Sequence, residues 1–210
     1  MASRFQLNDR AIRRSLDQLS QAHPAIRRAV DSVGYPRERR REHSFPSLVS
    51  IVVGQQLSTK AASTIGARVL DVVGGVMEPA AILEASDDAL RTAGLSHQKI
   101  SYVRALAEAV RSQALPIEAL PTMSDEEVLA RITAVRGFGP WSAHMYLMFA
   151  LGRPDIWPIG DLAVRVGFGR IMGWRARPDE KKVARYGAAF APHRSALALL
   201  CWRFYSEAPL

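Results

Sequence analysis

Apolar residues recur at three- and four-residue spacing along almost the whole chain, and no convincing strand-like alternation interrupts them. Ile12, Leu16 and Leu19 share one side of a helix predicted over Asp9 to Gln21. His23-Pro24 restarts a helix carrying Ile26, Ala29, Val30 and Val33, which Gly34 and Pro36 stop. From Phe45 an apolar helix (SLVSIVV) runs into Gly54-Gln55-Gln56-Leu57. Ser58 is placed to cap the next helix, which continues through Ile65 and Val69 to the Gly74-Gly75 pair. A short helix is expected around Asp87 to Ala93, ended by Gly94. Ser96 then caps a long one with Ile100, Val103, Leu106 and Val110 on its buried face. Pro116 and Pro121 mark a connector.

Beyond that connector, Ser124 with Glu127 three residues on forms a capping box. Val128, Leu129, Ile132 and Val135 follow as one apolar stripe, and the run from Trp141 to Leu151 is apolar almost all round, as a buried helix requires. Loops at Gly152-Arg-Pro154 and Trp157-Pro-Ile-Gly-Asp161 enter a helix predicted over Leu162 to Met172. Pro178-Asp-Glu opens another, and Pro192 opens the last, Arg194 to Tyr205. With no repeat and no low-complexity tract, the expected fold class is all-α.

Composition narrows the partner more than the fold. Apolar residues make up 48% of 210, with four Trp, seven Phe and five Tyr, so the chain can bury a core in one domain or two small lobes. It has no secretory h-region and no apolar run long enough to span a membrane. An amphipathic first helix explains the Arg-rich start as well as a transit peptide does. Cys201 is the single cysteine, which excludes an internal disulfide and a four-cysteine iron–sulfur cluster and suits a reducing cytosol. The net charge of +8 favours polyanion partners. The densest charge, Arg37-Glu-Arg-Arg-Arg-Glu42, reads equally as a solvated face or a phosphate-facing loop.

Three stretches hold candidate chemistry. In Val135-Arg-Gly-Phe-Gly-Pro-Trp141, two glycines flank one apolar residue between two helices. That is either a tight turn or a hairpin whose backbone N–H groups grip a nucleic-acid phosphate. Gln55-Gln56-Leu57 is a polar helix–helix turn, or else a probe for a DNA groove, since glutamine amides bond base edges and a leucine wedges between bases. Asp161 follows Pro158 and Gly160 at a helix start, where capping is the common role. The helix dipole and N–H donors there also favour an ionised carboxylate, which is what a reaction building positive charge needs.

Taken together, these stretches resemble the helix-hairpin-helix, Gly/Pro-rich-loop, aspartate superfamily of DNA glycosylases. Ile51-Val-Val-Gly-Gln-Gln-Leu-Ser-Thr-Lys-Ala61 is similar to the family's DNA-probing loop. Val135-Arg-Gly-Phe-Gly-Pro-Trp-Ser-Ala143 is similar to its hairpin, and Trp157-Pro-Ile-Gly-Asp161 to its loop and essential aspartate, 22 residues beyond Gly139. Gly94-Leu-Ser with Lys99, and Pro192-His-Arg-Ser195 before Trp202, extend the likeness over roughly residues 20 to 205. Members that also cleave the backbone carry a lysine directly after the hairpin. Trp141 stands there instead, which together with the Gln-Gln-Leu-Ser loop and Trp202 resembles the 3-methyladenine DNA glycosylase II branch. Larger members of that branch begin with a β-rich domain, expected to be missing because only about twenty residues precede the match.

The resemblance implies two helical lobes with the active-site cleft between them. Residues 1–40 plus 156–210 would form the terminal lobe, and 41–155 the central lobe holding the helix-hairpin-helix at 124–151. It implies a monofunctional enzyme of base excision repair that flips out alkylated bases of the 3-methyladenine and 7-methylguanine type and hydrolyses the N-glycosidic bond. Asp161 would stabilise the oxocarbenium-like sugar. Trp141 and Trp202 would hold the base, with Tyr146, Phe149 and Trp157 completing the pocket and Met145 standing where better-known members have a tyrosine. Gln56 and Leu57 would fill the vacated position and Gln55 would read the opposite strand. Ser58, Lys60, Arg136, Gly137, Phe138, Gly139 and Arg194 would contact DNA. A sodium or potassium ion could sit on the carbonyls of Thr133, Val135 and Phe138, with no other cofactor. His144 reads as a hydrogen-bonded core histidine. The expected partner is double-stranded DNA containing alkylated bases, bound by a monomer in the cytosol, or in the nucleus of a eukaryote. The rival readings are a non-catalytic helix-hairpin-helix DNA-binding module, a bifunctional lyase (against which the missing lysine argues) and a helical-repeat protein (against which the absence of repeats argues).

Overall fold

The computed structural model describes residues 5–207, and every regular element among them is helical. The chain divides into two compact units, one of residues 41–146 and one of residues 5–40 with 147–207.

The second unit opens with α1 (Asp9–Ala22) and α2 (Pro24–Val33). Asn8 caps α1 by accepting the Ala11 N–H at 2.9 Å, and Ile12, Leu16 and Leu19 are buried as their spacing predicts. Pro24 starts α2 where a missing N–H costs nothing. The chain re-enters this unit late in α9 (Pro140–Phe149) and continues through α10 (Leu162–Ile171), α11 (Glu180–Gly187) and α12 (Arg194–Glu207). Seven consecutive residues of α12, Ser195 to Cys201, are buried, because α1, α2 and α10 all pack against it. Arg203 donates from Nε to the Val33 carbonyl, supplying the end of α2 with a partner it lacks within the helix. Phe168 anchors an aromatic cluster, with Trp157, Trp174 and Phe190 edge-on at 5.2, 5.5 and 5.6 Å.

The first unit holds α3 (Phe45–Gly54), α4 (Thr59–Val72), α5 (Pro79–Glu84), α6 (Asp87–Thr92), α7 (His97–Arg111) and α8 (Asp125–Thr133). Six residues of α3 are buried, and it packs on α4 and α7. Arg104 of α7 donates to the carbonyls of Leu83 at 3.0 Å and Ala85 at 2.6 Å and pairs with Asp87, tying down the link between α5 and α6. The capping box at Ser124 and Glu127 forms as its spacing requires. Two details differ from the sequence pattern. α5 was not anticipated, because six residues around one buried side chain, Ile82, carry too little periodicity to be read. Val110 is only half-buried, one residue from the end of α7.

Candidate functional site

The loop leading to Asp161 is held from several sides within its own unit. Ser195, fully buried on α12, donates from Oγ to the Arg153 carbonyl at 2.7 Å and accepts the Ile156 N–H at 2.8 Å. Its own N–H donates to the Pro154 carbonyl at 3.1 Å. Trp157 donates its indole N–H to the Val183 carbonyl at 3.1 Å, and a tight turn joins the Asp161 N–H to the Pro158 carbonyl at 2.9 Å. Asp161 thereby becomes the N-cap of α10, with Oδ1 accepting the Val164 N–H at 3.0 Å. The same oxygen accepts the indole N–H of Trp202 at 3.0 Å. A carboxylate fixed by a helix start and an indole donor is oriented before any substrate arrives.

Trp202 is itself surrounded by aromatic and cationic groups. Phe149 lies 5.8 Å from it, and the Arg39 guanidinium lies 5.7 Å from its ring centroid. Arg39 belongs to the charge run at residues 37–42, which is exposed throughout. Arg40 leans on Phe5 at 4.9 Å, while the Glu38 N–H donates to Asp9 and the Asp9 N–H donates back to Glu38.

In the other unit, the hairpin links α8 to α9. Its two glycines are not equivalent. Gly137 has φ +92°, and a Cβ there would meet the Tyr102 ring at 2.2 Å. Gly139 is exposed, with nothing within 4 Å of where a Cβ would stand. Gly137 is thus required by packing within the protein, whereas the space at Gly139 is open for something outside it. Phe138 between them is buried and Arg136 is exposed. The Val135 carbonyl accepts the Phe138 N–H at 3.1 Å, closing the turn.

The Gln55–Leu57 turn between α3 and α4 lies in the same unit. Gln56 adopts φ +58° and is exposed, as are Leu57 and Lys60. Ser58 caps α4 through the Ala61 N–H at 3.3 Å. Gln55, expected on the opposite strand, instead directs its amide nitrogen to the Gly137 carbonyl at 2.9 Å. Arg194, expected on DNA, forms a two-pronged pair with Asp155, with Nε on Oδ1 at 2.8 Å and the terminal nitrogen on Oδ2 at 2.7 Å. Trp157 and Tyr146 are interior residues, Trp157 through its bond to Val183 and Tyr146 through a 2.9 Å bond between its hydroxyl and His43. Met145 is buried, while Trp141 is partly exposed at the start of α9. Lys99 and Ser195 lie in segments that extend the family likeness, but their roles could not be read locally: Ser195 staples the loop and the Lys99 ammonium caps α3.

Burial also sets the local titration behaviour. It lowers the pKa of His43 and of His144, so both resist protonation in the folded state. Burial pushes the Tyr146 hydroxyl well up. The unfolded chain takes protons on these imidazoles from about pH 6.5 downward while the folded chain does not. Stability from this source is therefore full above that value and is lost as pH falls from it toward the lowered folded pKa values. A thermal unfolding series from pH 7.5 to 5 should show the midpoint falling, with a shallower slope in His144→Gln.

No helix among the described residues is long and apolar enough to cross a membrane. Residues 49–192 match the model of the HhH-GPD superfamily of base excision DNA repair proteins. DNA-3-methyladenine glycosylase 1 of Schizosaccharomyces pombe is 31% identical over 183 residues, covering 84% of this chain and 80% of that protein. A solved structure of the Schizosaccharomyces pombe 3-methyladenine DNA glycosylase in complex with abasic DNA matches with a TM-score of 0.85 at 30% identity, covering 93% of this chain and 98% of that one. A DNA-3-methyladenine glycosidase from Bacillus halodurans matches with a TM-score of 0.81 at 34% identity, over 92% of this chain and 89% of that one. Residues 49–192 fit the family model and both the sequence and the fold of the chain align with these proteins, so the chain belongs to the HhH-GPD superfamily of base excision DNA repair proteins.

Proposed function

We propose that the chain is a monofunctional DNA glycosylase that extrudes alkylated bases of the 3-methyladenine type from double-stranded DNA and hydrolyses their N-glycosidic bond. The carrying observation is Asp161, held at the start of α10 by the Val164 N–H and the Trp202 indole. The base leaves with the electrons of the glycosidic bond, and the sugar carbon gains positive charge beside this carboxylate. Water then adds to that carbon, losing its proton. A base alkylated on a ring nitrogen is already cationic and needs little protonation to depart. Trp141 and Trp202 are proposed base contacts, since a cation gains about 0.5–2 kcal/mol on an indole face. Met145, with a flexible and polarizable side chain, would adapt the pocket to more than one lesion. Gln56 and Leu57 would enter the vacated position, and Lys60 and Arg136 would meet phosphates.

The chemistry stops at base release on this reading. Trp141 stands where a lyase carries its lysine, and the Lys99 ammonium is engaged on the carbonyls of Val53 and Gln55. An alkali ion on the Thr133, Val135 and Phe138 carbonyls would supply positive charge near the gripped phosphate. The protein would act as a monomer wherever DNA lies, in the cytosol of a bacterium or the nucleus of a eukaryote. Incubation with methylated duplex DNA should release free methylated base, and strand breaks should appear only after heat or alkali. Duplex binding without base release would leave a non-catalytic DNA-binding module, and breaks without heat would reveal a lyase.

The hairpin offers a separate test. Gly139→Ala should leave the unfolding midpoint nearly unchanged, because the added methyl meets nothing in the protein. It should weaken duplex binding about tenfold, by holding the backbone N–H groups off the phosphate. Gly137→Ala should instead destabilise the fold by about 1–3 kcal/mol. Equal affinity for Gly139→Ala and the wild type would remove the hairpin from the DNA contact.

A further inference from the structure

Three hydrogen bonds within the 41–146 unit converge on the Gln55–Gln56 turn. The Lys99 ammonium, in the first turn of α7, donates to the carbonyls of Val53 at 2.7 Å and Gln55 at 2.8 Å. It thereby caps the end of α3, where carbonyls lack partners within the helix. The Gln55 amide then donates to the Gly137 carbonyl at 2.9 Å, with Ser142 Oγ at 3.4 Å. One residue later Gln56 stands at φ +58°, a conformation that non-glycine residues seldom adopt, and the Leu57 N–H closes the turn on the Gly54 carbonyl at 3.2 Å. Backbone of this kind persists only where its surroundings hold it, and it concentrates at functional loops.

A helix end that merely needed capping would require Lys99 alone. The bond from Gln55 to Gly137 adds a link across 82 residues of sequence, from the probe loop to the hairpin glycine whose φ is +92°. We infer that Lys99 and Gln55 are positioning residues that join the hairpin to the probe loop, so that a phosphate gripped by the hairpin fixes where Gln56 and Leu57 enter the duplex. This rests on the DNA-acting reading above and adds to it a division of labour. Gln55 belongs to the protein's own frame, and Gln56 is the residue presented to DNA.

The test separates insertion from chemistry and from simple binding. A duplex carrying a tetrahydrofuran abasic analogue beside 2-aminopurine reports insertion by fluorescence without any bond being cut. Affinity for undamaged duplex and the unfolding midpoint are measured in parallel. Lys99→Met keeps the aliphatic stem and loses the donors, Lys99→Arg restores donors, and Gln55→Leu breaks the hairpin link with Lys99 intact. Lys99→Met and Gln55→Leu are expected to bind undamaged duplex within about twofold of wild type while the insertion equilibrium falls about tenfold. Lys99→Arg should recover most of that loss. Because the two residues act in one chain of contacts, the double variant should lose less than the product of the single losses. Wild-type insertion in both single variants overturns the inference. So does an insertion loss matched by an equal loss of undamaged-duplex affinity or a collapse of the midpoint. Wild-type protein that neither inserts into the abasic duplex nor releases base overturns the DNA-repair reading along with it, whereas normal wild-type insertion with unaffected variants overturns the brace alone.

Discussion

Asp161→Asn is expected to cut base release about a thousandfold while affinity for lesion-containing duplex stays within about threefold. The substitution isolates charge from structure. Asparagine is as good an N-cap as aspartate, and its carbonyl oxygen accepts the Val164 N–H and the Trp202 indole as Oδ1 does now. What disappears is the negative charge that would face the developing sugar cation. A unit pair 4 Å apart at an effective dielectric of about 20 interacts by roughly 4 kcal/mol, which is about three powers of ten in rate. Single-turnover release of labelled 7-methylguanine, set beside a binding titration on the same duplex, measures both quantities. Base release near the wild-type rate would remove Asp161 from the chemistry and leave it a helix cap.

Gly167→Ala should produce the largest loss of stability, about 3 kcal/mol, or a fall of roughly 6–12 °C in the unfolding midpoint. A Cβ at this position would stand 2.2 Å from the Cys201 carbonyl oxygen and 2.8 Å from its carbon. These are backbone atoms in a fully buried stretch of α12, so no side chain can swing away, and α10 must lift off α12. The damage should extend beyond stability. Asp161 caps the helix that bears Gly167, and Trp202 follows Cys201, so lifting α10 stretches the 3.0 Å bond between carboxylate and indole. Base release measured well below the unfolding midpoint should therefore fall more than the folded fraction does. Gly66→Ala is the control, since its Cβ meets nothing and alanine favours a helix. Wild-type stability in Gly167→Ala would mean that the two helices can part without cost.

The helices were legible because their ends carry chemistry of their own. Ser58, Ser96, Ser124 and Asp161 each accept a backbone N–H three residues on, so one side chain marks each boundary. Helix α5 was not, because six residues give a period too few turns to show. The Asp161 cap could be anticipated from Pro158 and Gly160, but its second bond, to an indole 41 residues away, depends on how closely α10 and α12 approach. For the same reason Gln55 looked like an outward-facing probe. Nothing in Gly54-Gln55-Gln56-Leu57 distinguishes the glutamine that bonds Gly137 from the one that does not. Arg194 was read on charge alone, since a basic residue near a family motif suggests phosphate, and its two-pronged pair with Asp155 had no local signal. Residue type and local spacing carry capping and periodicity, whereas the choice of partner is made by the tertiary fold.

The burial of Cys201 has a consequence for survival in the conditions that would create this protein's substrate. Agents that methylate DNA also attack protein nucleophiles, and the thiolate is the most reactive of these. Cys201 is the chain's sole thiol, has no exposed surface, and is held well above the ordinary thiol pKa by burial and by the nearby Asp161 charge. The Asp161 carboxylate thus helps keep its neighbour protonated. A repair enzyme so built offers electrophiles no accessible thiol while folded.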